Sequence, residues 1–534
     1  MRLLITGGNS TVVQTIAKAL ASDHTVRLFD TEFTTNPSNQ IGVSLARITG
    51  DIRNGDDCAR AVAGVDVLLH FATLTEVRTA EVPAQAVLDI ASRGAFVLMN
   101  AARAAGVGRV ILASTLALFD QLPAHWQVNE EWRPRPRPSL AELAPWITEL
   151  SVRESARVGT MQVICLRFGE IVDDQTIATA PYDPRWLHIH DAIAGIHCAL
   201  RYESSRQPDW RIFHIGAPGS HAKIRHQCST ASQEPFSYQP QHDFSQLTTD
   251  YQPPPRDDRP WQDVLASVAP VASRPIRNVL ILGAGGPMGV VTTQELLSSY
   301  TLRVTDIHPL AQIAAANKPQ APGAPLPVPV DAPHQELLVD VRNAVQVLDA
   351  AAQMDAILNC TVVRHQLDDA FLVNTVGAYH IMQAAVAHNI RRVVQTGPLV
   401  QHLEGFGDYS WDYDLPVDAP GRGFDHQYIH SKFLGQEICR VFAEYYGLEV
   451  PVLLFCALYN PDVIESGYSL FTISWADTGR ALRRALEVTS LPSPYEQVNI
   501  SADLPHGRFD HRKAQWLLNW QPHDGLEQFW QDNT

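Results

Sequence analysis

The feature that most constrains this chain is a pattern of residues that it carries twice. Near the N-terminus the apolar run Leu3–Gly8 breaks into a glycine turn, and Val279–Gly283 does the same. Asp30 follows the first turn at the interval at which Asp306 follows the second. Two further intervals recur in the same order: Asp51 to His70 with Asp340 to Asn359, and Gly94 to Arg109 with Gly377 to Arg392. Such ordered spacings indicate a tandem duplication.

Within each copy, short apolar runs alternate with segments of helical periodicity. Strands at Arg2–Thr6 and Thr25–Phe29 flank a helix at Thr11–Ala21, and the order repeats from Val279 onward. This alternation predicts an α/β fold with two tandem Rossmann-like domains, each a doubly wound parallel sheet. Ligands of such sheets bind beyond the carboxyl ends of the strands. We expect domains at 1–268 and 275–534, joined near Ala269–Pro275, where prolines flank small residues.

Composition narrows the possible partners. The formal charge of −16 argues against nucleic acid, whose phosphates such a chain would repel. Its apolar runs are shorter than the roughly 18 residues of a membrane helix, and strand-like sequence from Arg2 leaves no room for a signal peptide. The seven cysteines show neither metal spacing nor a disulfide framework. We therefore expect a cytoplasmic protein with a small-molecule substrate and no membrane partner.

The second glycine turn has the pattern of a dinucleotide site. Gly283, Gly286 and Gly289 stand at G-x-x-G-x-x-G between a strand and a helix. Glycine lets the backbone approach a pyrophosphate, and the helix N-terminus offers N–H groups to it. Asp306 ends the next strand, where a carboxylate accepts from ribose hydroxyls and repels a 2′-phosphate. The pattern predicts NAD rather than NADP as the cofactor.

The first glycine turn is degenerate. Ser10 and Val13 occupy the positions that correspond to Gly286 and Gly289, although Asp30 is retained. Their side chains fill space that a phosphate and close helix packing require. We expect the second copy to be the one that binds the cofactor.

Further motifs resemble the extended short-chain dehydrogenase/reductase family, which includes the NAD-dependent epimerase/dehydratases. The segment Tyr428–Lys432 has the Tyr-x-x-x-Lys form, and Leu517–Pro522 resembles a late motif of the family. Trp186–Asp191 and Thr472–Asp477 resemble the start of one of its late helices. The resemblance covers nearly the whole chain, twice. It implies that Asp340 and Asn359 join the cofactor site, and that each copy ends in a small subdomain on the substrate side.

The resemblance also implies the chemistry. A free tyrosine, with a pKa of about 10, is a poor base at neutral pH. A lysine at i+4 shares its helix face and lowers that pKa by its charge. In the family the tyrosine exchanges the substrate proton and the lysine holds the nicotinamide ribose, so these roles fall to Tyr428 and Lys432; an ordinary surface pair is the alternative. Asn374 matches a family asparagine, and it could equally cap a helix.

The third catalytic group departs from the family pattern. Family members carry Ser or Thr just past the strand that contains Val393, to hydrogen-bond the substrate oxygen, but here the position falls on Gly397 or Pro398. Thr396 would replace it if the loop shifted.

The first copy shows the reverse. Ser114 and Thr115 are present at the matching place, but the nearest counterpart of the Tyr-Lys segment is Pro145–Glu149. We expect the first copy to be chemically inactive, with Ser114 and Thr115 serving as hydrogen-bonding groups at the strand end.

Three other segments carry weaker signals. His426 and His430 stand one helical turn apart without an evident third ligand, so we expect no metal. The aromatic-rich segment Leu403–Asp425 precedes the Tyr-Lys helix and is either a lid over the substrate or a solvated loop. Lys318–Pro333 is rich in proline and has no counterpart in the first copy, and we interpret it as a surface loop.

Two classes of function remain open from the sequence. The favoured one is an NAD-dependent oxidoreductase or epimerase-type enzyme that transfers hydride at an alcohol or carbonyl carbon. The alternative is a non-catalytic NAD-binding sensor, which the missing serine favours. Sugar-active relatives carry an arginine after the sixth strand; Leu453–Phe455 has none, whereas the first copy has Arg167. Since family enzymes pair helices across a dimer, the two copies predict a monomeric pseudo-dimer or a homo-oligomer.

Overall fold

The structure is a computed structural model that forms two compact units, residues 1–267 and 268–534. It describes the following residues: 1–34, 45–76, 82–159, 161–204, 209–218, 236–248, 250–256, 259, 271–316, 323–399, 414–418, 423–424, 426–463, 472–505 and 507–531. Most of the predicted junction near Ala269–Pro275 is therefore described, while its first two residues lie outside these ranges.

The first unit alternates strands and helices along its length. Its strands are β1 Arg2–Thr6, β2 Thr25–Asp30, β3 Ala46–Thr49, β4 Val67–His70, β5 Arg109–Thr115, β6 Gln162–Phe168, β7 Glu170–Val172, β8 Trp186–His188 and β9 Trp210–Ile215. Its α-helices are Thr11–Leu20, Gly55–Val62, Ala72–Glu76, Ala84–Asp89, Ala95–Ala104, Leu140–Arg157, Asp174–Thr179 and Ile189–Arg201.

The second unit repeats this order. Its strands are β10 Asn278–Leu282, β11 Thr301–Asp306, β12 Gln335–Leu338, β13 Ala356–Asn359, β14 Arg392–Pro398, β15 Val450–Phe455, β16 Leu458–Tyr459, β17 Ile473–Ser474 and β18 Tyr495–Asn499. Its α-helices are Pro287–Leu296, Leu310–Ala315, Ala344–Ala351, Leu367–Phe371, Gly377–Ala387, Gln427–Tyr446, Trp475–Glu487 and Arg512–Leu518.

Each unit is built on one seven-stranded sheet. The strand orders are β3-β2-β1-β4-β5-β6-β9 and β12-β11-β10-β13-β14-β15-β18, and all the pairings are parallel. The order reverses direction at β1 and at β10, which is the switch point where open α/β sheets bind ligands. The prediction of two tandem Rossmann-like, doubly wound domains is confirmed.

The central strands are apolar on both faces because helices cover the sheet on both sides. Leu4 and Ile5 of β1, like Leu280 and Ile281 of β10, are fully buried. In each unit a short two-stranded parallel pair, β7 with β8 and β16 with β17, follows the sixth strand of the main sheet. These pairs lie in the part of each unit where the sequence predicted a small C-terminal subdomain.

The two late helices begin in the same way. Asp191 of Ile189–Arg201 accepts hydrogen bonds from the backbone N–H groups of Gln241 and His242 at 2.8 and 3.1 Å. Asp477 of Trp475–Glu487 accepts from His523 and Asp524 at 2.9 to 3.1 Å. One carboxylate in each unit therefore ties the C-terminal segment to the start of a helix.

A π-helical turn interrupts the same helix in both units, at Ile90–Gly94 and at Leu372–Val376. In the second unit the continuous helical span Leu367–Ala387 is, among the described residues, the one helix long and apolar enough to cross a membrane. Seventy-two per cent of its apolar window is buried inside the domain, as is usual for a core helix.

Candidate functional site

The second glycine turn forms a cradle that side chains would fill. Gly283 has a φ of +78°, and a Cβ built on it would lie 3.0 Å from the backbone of Cys360 and Thr361. At Gly289 a Cβ would overlap the carbonyl oxygen of Gly283, so the helix Pro287–Leu296 packs this closely only with glycine there. At Gly285 a Cβ would lie 2.8 Å from Asp306 Oδ2. The sequence pattern did not single out Gly285.

Gly286 is glycine for a different reason. Its backbone is extended (φ −76°, ψ 155°), and the nearest atom to a Cβ built there is Gly283 O at 3.6 Å. Ser10 occupies the same N-cap position in the first unit with nearly the same angles, φ −68° and ψ 136°. Because the fold tolerates a side chain at this N-cap, the space left by Gly286 is available to a ligand at the helix N-terminus.

Asp306 lies at the end of β11, as predicted, and it closes the cradle. Its Oδ2 accepts from the N–H of Gly285 at 2.9 Å, and its Oδ1 accepts from Ile307 at 2.8 Å. The carboxylate is partly exposed beside the glycine turn. A cradle free of side chains, a helix N-terminus and a carboxylate at the neighbouring strand end together fit the phosphates and the ribose of a dinucleotide.

The first glycine turn has the same framework with its space filled. Asp30 Oδ2 accepts from the N–H of Asn9 at 2.8 Å, which matches the bond from Gly285 to Asp306. The side chain of Asn9 accepts from the N–H of Thr34 at 3.0 Å. Val13, which corresponds to Gly289, is fully buried in the apolar core. The hydrogen bond from Asn9 to Asp30 thus gives Asp30 a structural role in the glycine turn that needs no cofactor.

Asp340 and Asn359 are engaged within the protein. Asp340 accepts from Arg342 Nη2 at 2.7 Å, and this bond holds the pKa of its carboxyl below the usual range. Asn359 is buried, donates to Gln395 Oε1 at 2.9 Å and accepts from the hydroxyl of Thr361 at 2.7 Å. Both therefore shape the loops at the sheet edge, and their roles towards a cofactor remain predictions.

The Tyr-Lys pair lies on the helix Gln427–Tyr446, which the side chain of His426 caps by accepting from the N–H of Tyr428 at 3.2 Å. Lys432 is 2% exposed, and its ammonium donates to Thr361 O at 2.8 Å and to Thr396 O at 3.4 Å. Burial lowers its pKa to about 8, with a further contribution from the charge of Arg364. Lys432 thus joins the helix to the ends of β13 and β14.

Tyr428 is partly buried, and desolvation raises its pKa above the ordinary value. The cation that opposes this rise is Arg364, whose Cζ lies 5.4 Å from the centroid of the phenol ring. The Lys432 ammonium is directed to two backbone carbonyls, so the structure places Arg364, and not Lys432 as expected, as the cation that works to lower the pKa of Tyr428. Sequence reasoning missed Arg364, since it stands far from Tyr428 along the chain.

Thr396 does not present a hydroxyl beside Tyr428. It lies within β14, is 5% exposed, and donates to Asn359 O at 2.9 Å. At Gly397 a Cβ would overlap Gln436 Nε2 and lie 2.8 Å from Leu454 Cδ2, so that position faces the interior. As placed, the Thr396 hydroxyl is a structural group, and a catalytic role for it has no support in the geometry.

Asn374 anchors the loop that follows β13. Its side chain donates to Val363 O at 2.8 Å, accepts from Val363 N at 3.2 Å and donates to Ser431 Oγ at 3.0 Å. It lies inside the π-helical turn, so it does not cap a helix. Asn374 therefore holds the segment from Thr361 to Arg364 against the Tyr-Lys helix.

The first unit has a buried ion pair where the second has neutral residues. Arg167 donates to both carboxylate oxygens of Glu149 at 2.9 and 2.8 Å, and Ser114 donates to Glu149 at 2.5 Å. Burial works to lower the pKa of Arg167, but the attraction of Glu149 outweighs it, and the net shift is upward. Because Ser114 pairs with Arg167 across the sheet as Gly397 pairs with Leu454, the two sets occupy equivalent positions.

Thr115 is likewise a structural group, since its hydroxyl accepts from the N–H of Ala117 at 3.1 Å. The expectation that Ser114 and Thr115 serve as hydrogen-bonding groups at the strand end agrees with this geometry.

The first unit also brings together His188, His190 and His242, a cluster that the sequence did not predict. His188 Nδ1 accepts from the N–H of His190 at 3.2 Å, and His242 Nδ1 lies 3.1 Å from Asp191 Oδ2. The rings of His188 and His242 stack with centroids 3.7 Å apart. Stacked rings direct their lone pairs side by side rather than to one point, so this arrangement does not present a metal site.

Two predicted features can be placed only in part. Phe406, Tyr409, Trp411 and Tyr413 of the segment Leu403–Asp425 lie outside the described residues. His426 and His430 separate: His426 caps the helix, whereas His430 is fully buried with its ring 5.1 Å from that of Phe424.

The fold and this site together define the class of nicotinamide-dependent oxidoreductases built on a doubly wound sheet. The model of the NAD dependent epimerase/dehydratase family matches residues 3–170 and again residues 279–469. The chain belongs to this family, as a tandem duplication. The resemblance to short-chain dehydrogenase/reductases is confirmed, and NAD is confirmed as the cofactor.

Two dehydrogenases each match a little under half of the chain. A uronate dehydrogenase from Pseudomonas putida is 27% identical over 272 residues, which are 48% of this chain and 88% of the relative. An L-arabinose 1-dehydrogenase (NAD(P)(+)) from Haloferax volcanii is 24% identical over 42% of this chain and 88% of its own length. Among solved structures, a uronate dehydrogenase from Agrobacterium tumefaciens matches with 22% identity and a TM-score of 0.39, over 47% of this chain and 86% of the other.

Proposed function

We propose that the second unit is an NAD-dependent dehydrogenase that oxidises a carbon bearing a hydroxyl group on a sugar or sugar acid, while the first unit is catalytically inactive. The observation that carries this proposal is the position of Thr361. Its backbone packs against Gly283 at the glycine turn, and its carbonyl accepts from Lys432 Nζ at 2.8 Å. One short loop therefore joins the proposed cofactor cradle to the Tyr-Lys pair.

The cofactor would lie along this line. Gly283 and Gly286 would hold its pyrophosphate, Asp306 its adenine ribose, and Lys432 its nicotinamide ribose. When bound, NAD accepts a hydride at the nicotinamide ring. The residues of the chain bind and orient it, and they move the proton.

In the oxidation, the substrate C–H bond breaks with its electron pair as a hydride, and the O–H proton passes to the Tyr428 phenolate. The products are a carbonyl compound, NADH and the protonated phenol, so electrons and protons balance. In the reverse direction the neutral phenol donates its proton to the carbonyl oxygen, and this is the form that burial of Tyr428 favours. Epimerisation or dehydration would build on the same hydride step.

The substrate class rests on the relatives, which include uronate dehydrogenases and an arabinose dehydrogenase. The first unit lacks the required groups. Counted from the first residue of each helix, Ala141 corresponds to Tyr428 and Pro145 to Lys432. The predicted counterpart of the Tyr-Lys segment, Pro145–Glu149, therefore lies one helical turn too late. Neither Ala141 nor Pro145 has a side chain that can exchange a proton.

The test is NADH formation by the full chain with a panel of uronates and aldoses. We expect Tyr428→Phe to lose about 10²–10⁴-fold in turnover while NAD affinity is unchanged, because a positioned acid/base contributes that much. Tyr445→Phe, near the other end of the same helix, is the matched control and should keep its activity. Equal turnover in both variants would refute the assignment of Tyr428.

The alternative is an NAD-binding sensor. The observation that favours it is the engaged hydroxyl of Thr396, which leaves the substrate oxygen without the usual donor. NAD binding by the wild-type chain without turnover across the panel would support the sensor.

A further inference from the structure

Among the residues that the structure describes, none presents a Ser or Thr hydroxyl at the end of β14, where the family places one against the substrate oxygen. Thr396 donates to the backbone, Gly397 faces Gln436, and Pro398 has no donor. A carbonyl or alkoxide oxygen beside Tyr428 would still need a second donor, because charge develops on it during hydride transfer.

Arg364 is the polar side chain that the fold brings to this place. Its guanidinium lies over the Tyr428 phenol, with Cζ 5.4 Å from the ring centroid. The side chain is exposed, and no carboxylate among the described residues forms an ion pair with it. Arginine carries five N–H donors, so a guanidinium that contacts Tyr428 can also turn donors to a ligand.

The loop that carries Arg364 is fixed on both sides. Asn374 clamps Val363 through two hydrogen bonds, and Gln427 donates to Arg364 O at 3.3 Å. Gln427 immediately precedes Tyr428, so the backbone of Arg364 is bonded to the start of the catalytic helix. The fixed backbone of this loop, together with the rotamer of Arg364, therefore places the guanidinium over the phenol ring of Tyr428.

We propose that Arg364 takes the place of the absent hydroxyl, as the donor to the substrate oxygen and as the cation that stabilises the Tyr428 phenolate. This inference rests on the proposed function of the second unit. In the family, the hydrogen bond to the substrate oxygen comes from a residue after β14. Here it would come from Arg364, in the loop after β13.

Within the described part of the chain, four titratable or charged groups lie near Tyr428. His426 and Lys432 come from its own helix, Cys456 from the segment after β15, and Arg364 from the loop after β13. Arg364 works to lower the pKa of Tyr428, against burial and the smaller effect of Cys456. Lys432 is turned to Thr361 O and Thr396 O, and His426 accepts at the helix N-terminus. Removal of Arg364 should therefore raise the pKa of Tyr428, because the effect of burial would no longer be opposed by this cation.

The experiment is an ultraviolet difference titration of Tyr428 in the full chain. Subtracting the spectrum of Tyr428→Phe isolates the tyrosinate signal of this residue from the other tyrosines. In Arg364→Met, which keeps the apolar stem, we expect the midpoint to rise by about one pH unit, because a nearby cation lowers the pKa of an acid by that order. Arg364→Lys should restore most of the shift, and Arg512→Met, an exposed cation elsewhere in the unit, should leave the midpoint unchanged.

A midpoint in Arg364→Met equal to that of the wild type would overturn the inference. With a substrate from the panel, Arg364→Met should also lower kcat by at least about tenfold and move the basic limb of the pH profile upward, and Arg364→Lys should recover part of both. The spectroscopic titration needs no turnover, so its outcome is separate from that of the proposed function. A shifted midpoint in a chain that makes no NADH would refute the dehydrogenase and leave the pairing of Arg364 with Tyr428 intact.

Discussion

The two units differ where the fifth and sixth strands of each sheet meet the long helix. In the first unit this place holds the buried cluster of Ser114, Glu149 and Arg167, whereas in the second it holds Gly397, Gln436 and Leu454. One turn earlier on the helix, the first unit has Pro145 and the second has Lys432. The first copy therefore has a charge pair that fixes helix to sheet, while the second copy places its buried charge where we propose that the cofactor lies.

The comparison shows that the two units share the same backbone geometry at this place but carry side chains of different chemistry. Thr148 of the first unit donates to Ala91 O at 3.2 Å, and Gly435 of the second approaches Asn374 O so closely that a Cβ would overlap it. The helices thus cross at the same point with different side chains. The crossing does not need the Tyr-Lys pair, because packing there depends on small residues and hydrogen bonds.

The largest effect should come from breaking the ion pair of the first unit. Arg167→Leu leaves Glu149 buried without its partner and should cost about 3–5 kcal/mol of stability in that unit. Exchanging all three residues for those of the second unit, as Ser114→Gly, Glu149→Gln and Arg167→Leu together, should recover most of the loss, because no unpaired charge remains. Hydrogen exchange of peptides from each unit measures this, with the second unit as internal reference. A triple variant less stable than Arg167→Leu would contradict this account.

A second contrast concerns the glycine turns. Gly289→Ala should destabilise the second unit by about 1–3 kcal/mol, because its Cβ overlaps the carbonyl of Gly283. Gly286→Val should fold normally and weaken NAD binding by at least tenfold, or about 1.4 kcal/mol, because its side chain enters the ligand space alone. Calorimetry should find one NAD site per chain, and Ser10→Gly in the first unit should leave that number unchanged. A second site of equal affinity would show that the first turn is not degenerate.

The third contrast is a pH dependence confined to the unit that carries Lys432, and it is small at any one pH step. Burial lowers the pKa of this lysine from 10.5 to about 8. Below pH 8 both folded and unfolded chains carry the charge, and the folded state bears the full cost of burying it. Between pH 8 and 10.5 the unfolded chain binds more protons, so stability rises with pH, by at most about 1.4 kcal/mol per pH unit.

Relative to Lys432→Met, which titrates at no pH, the wild type should therefore gain stability across that window. Denaturant unfolding at several pH values measures the difference. Lys18→Met, a substitution on the first helix of the first unit, is the control and should show no such slope. A difference between wild type and Lys432→Met that is constant with pH would mean that Lys432 is not held in a desolvated site.

The sequence by itself determined the duplication, the two parallel sheets and the glycine cradle. These follow from local rules: apolar runs at strand and helix periods, and glycines where a turn needs a positive φ or a close approach, as at Gly283 and Gly289. The pairing of Tyr428 with Lys432 could also be predicted from the sequence, because residues four apart share one face of a helix.

Only the tertiary structure decided the partners of those side chains. The Lys432 ammonium donates to the carbonyls of Thr361 and Thr396, and the Thr396 hydroxyl donates to Asn359 O. Arg364 reaches Tyr428 because Asn374 and Gln427 fix a loop from another strand end against the helix. Such contacts join residues far apart in the chain, and their strength depends on burial and on what else is within reach. A linear pattern records which donors and acceptors exist, whereas the folded chain determines which of them remain free for a ligand.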